Sequence, residues 1–318
     1  IAGARYTVEE KVLDLILTHS SPLGAAIFNY SLGEDATVVI RDLRRRESDF
    51  SPKLSAIHDL NNAVNLYATW ATAFKAGGFN EQAPNDEKRS VEYEPEHATT
   101  WELGSKMRLL GGSMTLNIGL FSTDFEDLQV SLFDGTTFVV NNATDAFARG
   151  LEADWNWLPT NWLSLGASGA LLRARYRDYQ GAQCPALADD PEDDGCDLSG
   201  AALVRAPDYS GALHARLTLP LWPARHIGLQ LGWDMSFTDG VFLTTDNDPV
   251  DTQPAYQQHN AQISIGDIDK QWSLTLFAWN VLDEKYLNGS QDVPLQPGSH
   301  SGVFSFARRL HLEMRYNF

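Results

Sequence analysis

From Phe304 to Phe318 the chain alternates apolar and polar side chains for fifteen residues, a period that restricts the possible folds more than any other feature. Successive side chains of an extended strand point to opposite faces. Phe304, Phe306, Leu310, Leu312, Met314, Tyr316 and Phe318 therefore share one face, interrupted only by Arg308. Ser305, Ala307, Arg309, His311, Glu313, Arg315 and Asn317 share the other. Strands of globular proteins usually run to about five or six residues, whereas a tilted strand needs about nine to eleven to cross a bilayer. The length points to a membrane-crossing strand. A long terminal strand of a soluble sandwich is the other reading of this segment taken alone.

The same period recurs upstream. Ile227, Leu229, Leu231, Trp233, Met235 and Phe237 alternate with Gly228, Gln230, Gly232, Asp234, Ser236 and Thr238. Leu151, Ala153, Trp155 and Trp157 oppose Glu152, Asp154 and Asn156, and Trp101, Leu103, Met107 and Leu109 oppose Glu102, Lys106 and Arg108. Twelve such segments are expected, near residues 2–11, 48–60, 63–76, 96–110, 113–131, 138–158, 162–178, 206–220, 225–242, 255–268, 271–286 and 303–318. Long loops are expected near 12–47, 77–95, 179–205, 243–254 and 287–302, and tight turns at LNN, LGG, LPTN, LWPA and IDK. Tight turns at one end and long loops at the other are the asymmetry of an outer-membrane barrel. Trp155, Trp157 and Trp162 flank LPTN, and Trp222 and Trp272 adjoin two other tight turns. Indole suits the headgroup region, where its ring is apolar and its N–H finds a partner.

Composition narrows the classes. Asp and Glu number 42 against 24 Lys and Arg, a formal charge of −18, which disfavours a nucleic-acid partner by repulsion. No run approaches the roughly eighteen apolar residues of a membrane helix; VLDLIL at 12–17 is far too short. Barrel strands escape that criterion because they spread their hydrophobicity over alternate positions. The chain opens with IAGARYTVEEK, without an initiator Met or a basic-then-apolar leader, and is read as processed or as part of something longer.

The two cysteines, Cys184 and Cys196, enclose no His and form no CxxC pair, so a local disulfide is expected, with unpaired thiols as the alternative. A bridge closing so short a segment is worth about 2–3 kcal/mol. Asp189, Asp190, Glu192, Asp193, Asp194 and Asp197 crowd this region. Such density can serve calcium, but EF-hand spacing is missing and Pro191 interrupts the run, so a solvated acidic loop is expected. Phe79, Tyr179 and Tyr286 are aromatics able to touch a ligand or to pack, and the ligand-binding residues are left unassigned. No GxSxG, HExxH or Gly-rich phosphate loop occurs. His214 and His311 fall on the inferred inner face as wall residues, and His300 beside Ser301 in a loop is a weak basis for an outer-membrane lipase. No catalytic, cofactor-binding or metal-binding residue is expected.

A set of phrases then carries a family likeness: SPKLS at 51–55, NLYATWATAFKAGGFN at 65–80, YEPE at 93–96, WELGSK at 101–106, GLEADW at 150–155 and NVLDEKY at 280–286. In order and spacing they resemble the C-terminal half of a TonB-dependent outer-membrane receptor, from about residue 5 to Phe318. The resemblance implies an all-β, antiparallel transmembrane barrel of about 22 strands, with twelve of them here and the plug domain absent from this chain. Residues 1–318 would be one C-terminal portion of the barrel domain, and the alternating C-terminal strand would serve membrane assembly. It implies a Gram-negative outer membrane, with lipid and the β-barrel assembly machinery as partners. It also implies coupling to TonB through a plug segment missing from this chain, and uptake of a scarce small ligand such as a ferric siderophore. A self-contained, twelve-stranded passive porin-like barrel is the alternative, because even strand numbers from eight upward occur.

Overall fold

A computed structural model of the protein describes residues 1–18, 37–80, 91–133, 138–142, 145–185, 195–267, 271–293, 296 and 298–317. Twelve strands form one antiparallel sheet in which each pairs with the next. They are β1 (Ala2–Thr18), β2 (Thr37–Asn61), β3 (Val64–Lys75), β4 (Glu96–Leu109), β5 (Met114–Glu126) and β6 (Asp145–Thr160), followed by β7 (Leu163–Asp178), β8 (Tyr209–Trp222), β9 (Ile227–Thr238), β10 (Tyr256–Asp267), β11 (Trp272–Trp279) and β12 (Arg309–Tyr316). Each expected segment contributes one of them. The sheet is not closed on itself, and β1 and β12 form its two edges.

Register explains why these residues prefer long strands to short ones. Across six strands Leu163, Leu217, Leu231, Ile263, Leu276 and Leu312 lie directly opposite one another. A second row runs through Ala68, Leu103, Leu120, Leu151 and Leu171. Leu103, Leu120, Leu171, Ile263, Leu276 and Leu312 are all exposed. Cross-strand apolar pairs favour this register, and a slip of one residue would turn the whole row to the other face.

The opposite face is polar and carries its own packing. The Tyr67 ring lies over Gly104, where a Cβ would come within 2.4 Å of it, and the His214 ring covers Gly166, where a Cβ would come within 1.9 Å. Glycine at these two positions makes room for a ring from the neighbouring strand.

At the tight-turn end, Asn61 and Val64 close β2–β3, and 3-10 turns at Leu110–Gly112 and Pro223–Arg225 close β4–β5 and β8–β9. Leu110 and His226 take positive φ, 51° and 55°, as such tight reversals require. Trp162 and Trp222 sit at this end and are exposed.

The other end departs from expectation in several places. β1 and β2 continue as paired strands to Thr18 and from Thr37, well into the 12–47 segment read as loop. Apart from Asp14, Val12 to Leu17 are apolar at adjacent positions, as are Val38 to Ile40, so the period-two contrast that marks a strand is lost there although β-branched residues favour one. Other segments read as single strands are divided. Residue 127 takes φ 54° and ends the strand read over 113–131; Gln129–Phe133 then pairs with Phe138–Asn142 as a separate hairpin. Asn280 and Asp283, at φ 51° and 56°, end the strand read over 271–286. Val241–Phe242 leaves the end of the 225–242 segment to pair with Thr252–Gln253. The 303–318 row is also divided: Phe304 closes an outer hairpin of Leu287–Asp292 with His300–Phe304, whereas β12 begins at Arg309. Asp283 accepts the Arg308 N–H at 2.7 Å, so the break falls at the one charged residue in the apolar row.

Candidate functional site: the inner wall and the outer hairpins

The inner wall offers charge and hydrogen-bonding groups to the space it faces. Tyr67 donates to Glu102 at 2.6 Å, the Lys106 ammonium lies 5.8 Å from the centre of the Tyr67 ring, and Asn117 donates to Asp154 at 3.4 Å. Tyr67, Glu102, Asn117, Glu152 and Asp154 line a groove of about 590 Å³. Farther along, Arg216 grips both oxygens of Asp234 at 2.9 Å, and Gln230, Gln262, Thr275, Glu313 and Arg315 line a groove of about 440 Å³. His214 and His311 belong to this wall, the latter 5.9 Å from Trp279 and 6.2 Å from Phe277 between ring centres.

Above the wall the outer hairpins interlock. Asn80 donates its amide to the Val140 carbonyl and accepts the Val140 N–H, both at 2.9 Å. The Gln129 side chain reaches Ala76 and Glu94 carbonyls at 3.1 and 3.0 Å, and Asn142 donates to Glu94 O at 2.9 Å. Thr245 donates to Ser131 O, Asn247 to Ala202 O and Arg205 to Asn288 O. Arg45 joins the same layer by pairing with Glu47, Glu92 and Glu94. The Glu94 carboxyl is held below its ordinary range, chiefly by the Arg45 hydrogen bond.

A small apolar core stabilises this layer. Val130, Ala146, Tyr176, Tyr179 and Ala182 are buried together, with the two tyrosine rings 4.8 Å apart. Burial pushes the Tyr179 phenol up to about 12. Of the three aromatics read as able to touch a ligand or to pack, Tyr179 belongs to this core, Tyr286 is stacked 3.9 Å from Tyr256, and Phe79 is half-buried in a short hairpin.

Cys184 and Cys196 are bonded, with their Cα atoms 5.1 Å apart. Ala182 and Cys196 exchange two backbone hydrogen bonds of 2.9 Å beside the bridge. Asp189, Asp190, Glu192, Asp193 and Asp194 lie outside the described residues; Asp197 caps Ser199 N at 2.8 Å, and hydrogen bonds from Ser199 lower its carboxyl. Replacing both cysteines by serine is expected to destabilise this segment by about 2–3 kcal/mol. Proteolysis of the intact protein in detergent would show faster cleavage between residues 179 and 205, and cleavage at the wild-type rate would contradict a stabilising bridge.

Of the residues assigned to the C-terminal strand, Leu310, Leu312, Met314 and Tyr316 form an exposed row on β12. Phe304 and Phe306 are exposed but precede β12, and Phe318 lies outside the described residues. Ser301 donates to Gln291 O at 3.4 Å and not to its neighbour His300.

Sequence reasoning passed over one constellation. Nδ1 of His300 faces Asp251 Oδ2 and Asp292 Oδ1, each at 3.1 Å, with Asp248 alongside. These four side chains come from the 243–254 loop and the 287–304 hairpin, both read in the sequence as loops, with His300 considered only beside Ser301. Burial, and next the charge of Asp246, push the Asp292 carboxyl upward. Burial alone lowers the His300 imidazole, but the hydrogen bond to Asp251 and the nearby carboxylates raise it overall.

A meander of long antiparallel strands with an apolar belt on one face, a polar wall on the other and interlocked hairpins at one end defines the wall of a transmembrane β-barrel. The chain belongs to the TonB dependent receptor-like, beta-barrel family, whose model matches residues 1–281. Similar folds occur in the ferric yersiniabactin uptake receptor FyuA from Yersinia pestis, with 16% identity and a TM-score of 0.71 over 90% of this chain and 40% of that one. The ferric-catecholate import receptor Fiu from E. coli K12 shares 17% identity at a TM-score of 0.67, over 98% of this chain and 41% of that one. The siderophore receptor PiuA from Acinetobacter baumannii shares 17% identity at 0.64, over 90% and 38%. The chain thus spans about two fifths of these proteins, and at such identities the likeness is one of fold.

Proposed function

We propose that residues 1–318 are the C-terminal portion of the barrel domain of an outer-membrane receptor that takes up a scarce ligand, a ferric siderophore, with energy delivered through TonB. The observation that carries this reading is the aligned apolar row from Leu163 to Leu312 on one face, opposite a charged and amide-rich wall on the other. Lipid would meet the first and a hydrated lumen the second. Family membership and the fold likeness to siderophore receptors support the same reading.

The two open edges at β1 and β12 leave backbone groups unpaired, which a bilayer does not tolerate. Further strands from the same receptor would pair with them, and the plug would fill the lumen and carry the TonB contact. The exposed Leu310, Leu312, Met314 and Tyr316 row of β12, with Phe304, Phe306 and Phe318, would be the part engaged by the assembly machinery. Outer hairpins and lumen wall would capture the ligand before it passes inward. The role is transport, without a chemical step on the cargo.

The test is uptake of radio-iron, presented as ferric siderophores, by iron-starved cells carrying the intact gene. Uptake that disappears on deletion of the gene, and equally on deletion of TonB, is the expected result. Uptake unaffected by TonB, with steady ion conductance of the purified protein in planar bilayers, would overturn the receptor reading in favour of a passive barrel.

A further inference from the structure

The outer layer contains a concentration of buried negative charge that its neighbours among the described residues do not balance. Asp246, Asp248 and Asp251 are 3%, 5% and 0% exposed, and the Asp292 side chain is 15% exposed. Among the described residues none of the four pairs with a Lys or Arg; the single cationic candidate is His300. Buried charges are ordinarily paired or bound to metal, because leaving them unpaired costs far more than the group can recover.

The hydrogen bonds sharpen the imbalance. The Asp251 carboxylate is served by Ser290 Oγ and His300 Nδ1. Asp248, almost wholly buried, receives one donor to its carboxylate among the described residues, the Val250 N–H at 2.7 Å. Nδ1 of His300 stands 3.1 Å from both Asp251 Oδ2 and Asp292 Oδ1. One proton on Nδ1 serves one of them, and Asp292 Oδ1 is buried without a hydrogen-bond donor among the described residues. A deep carboxylate with no cation, a donorless carboxylate oxygen and an imidazole nitrogen thus converge, with one ligand atom from each of four residues inside 4.8 Å of the others.

We propose that Asp248, Asp251, Asp292 and His300 bind a divalent metal ion that ties the 243–254 loop to the outer hairpin of residues 287–304. The ion would take the place of the Nδ1 proton, satisfy Asp292 Oδ1 and offset the surplus charge. Three carboxylate oxygens with one imidazole nitrogen suit zinc or manganese better than calcium, which takes six to eight oxygens. The site joins residues 49 positions apart, so its role is to hold two loops together. It does not depend on which ligand the receptor carries.

The test uses the full-length receptor in detergent, stripped with chelator and titrated calorimetrically with zinc, manganese and calcium in separate experiments. One zinc or manganese ion per chain is expected, with slowed amide exchange in residues 243–254 and 287–304 of the wild type. Asp251→Asn and His300→Gln should each weaken binding at least tenfold, whereas Asp197→Asn should leave it unchanged. The exchange measurement needs no variant and stands even if Asp251→Asn fails to fold. Absence of binding by all three ions at millimolar concentration, or binding that leaves exchange in both segments unaltered, would overturn the site. Calcium bound more tightly than zinc and manganese would remove His300 from the ligand set.

Discussion

Arginine in place of Leu231 is expected to lower the stability of the membrane-embedded receptor by about 2–4 kcal/mol, while arginine at the adjacent Gln230 shifts it by less than about 0.5 kcal/mol. The two residues are neighbours on β9 and differ in the face they occupy. Leu231 lies within the aligned row, between Leu217 and Ile263, while Gln230 lines a polar groove. Leu231 lies four residues from the start of its strand at Ile227, roughly 10 Å along the bilayer normal for a tilted strand. Guanidinium unfolding of the receptor refolded into vesicles separates the two variants. Equal losses would mean that the faces do not meet different solvents, and the barrel reading would lose its physical basis.

The second large effect concerns the outer layer. Tyr176 is 1% exposed and packs against Tyr179, Val130, Ala146 and Ala182. Truncation to alanine is expected to cost about 3–5 kcal/mol, from lost transfer energy and the cavity left behind. The loss should be local, because the strands below are held by their own ladder bonds and open as a separate unit. Hydrogen exchange in full-length protein would show residues 179–185 and 195–203 losing protection while β7 and β8 keep theirs. Tyr176→Phe, which retains the ring, should preserve most of the protection. Equal exchange in the alanine variant would show that this core does not hold the loop.

These two predictions lie at different distances from the amino-acid sequence. Leu231 could be placed from the sequence because lipid on one side and water on the other force a period of two, and every strand of the sheet carries it. Strand ends were harder to see wherever both faces became apolar, as between Val12 and Leu17. Outer hairpins were merged with barrel strands because a non-glycine residue at positive φ, such as Asp127 or Asn280, leaves the alternation intact while turning the backbone. The disulfide was legible because only two cysteines exist. The Asp248, Asp251, Asp292 and His300 group was not, because its members come from two loops and share no local spacing. The acidic run near Cys184 is the denser sequence signal, whereas Asp246, Asp248 and Asp251 of the sparser 243–254 loop are buried by tertiary contacts that no local spacing announces.

The doubled bond between Asn80 and Val140 sets a rule for anyone recombining such receptors. Each partner satisfies a donor and an acceptor of the other across 60 residues of sequence. A chimaera that replaced Asn80 but kept the 138–142 strand would leave the Val140 N–H and carbonyl without this partner. Exchanged together, the two loops would keep their handshake, so the unit to exchange at this end of the molecule is a pair of loops.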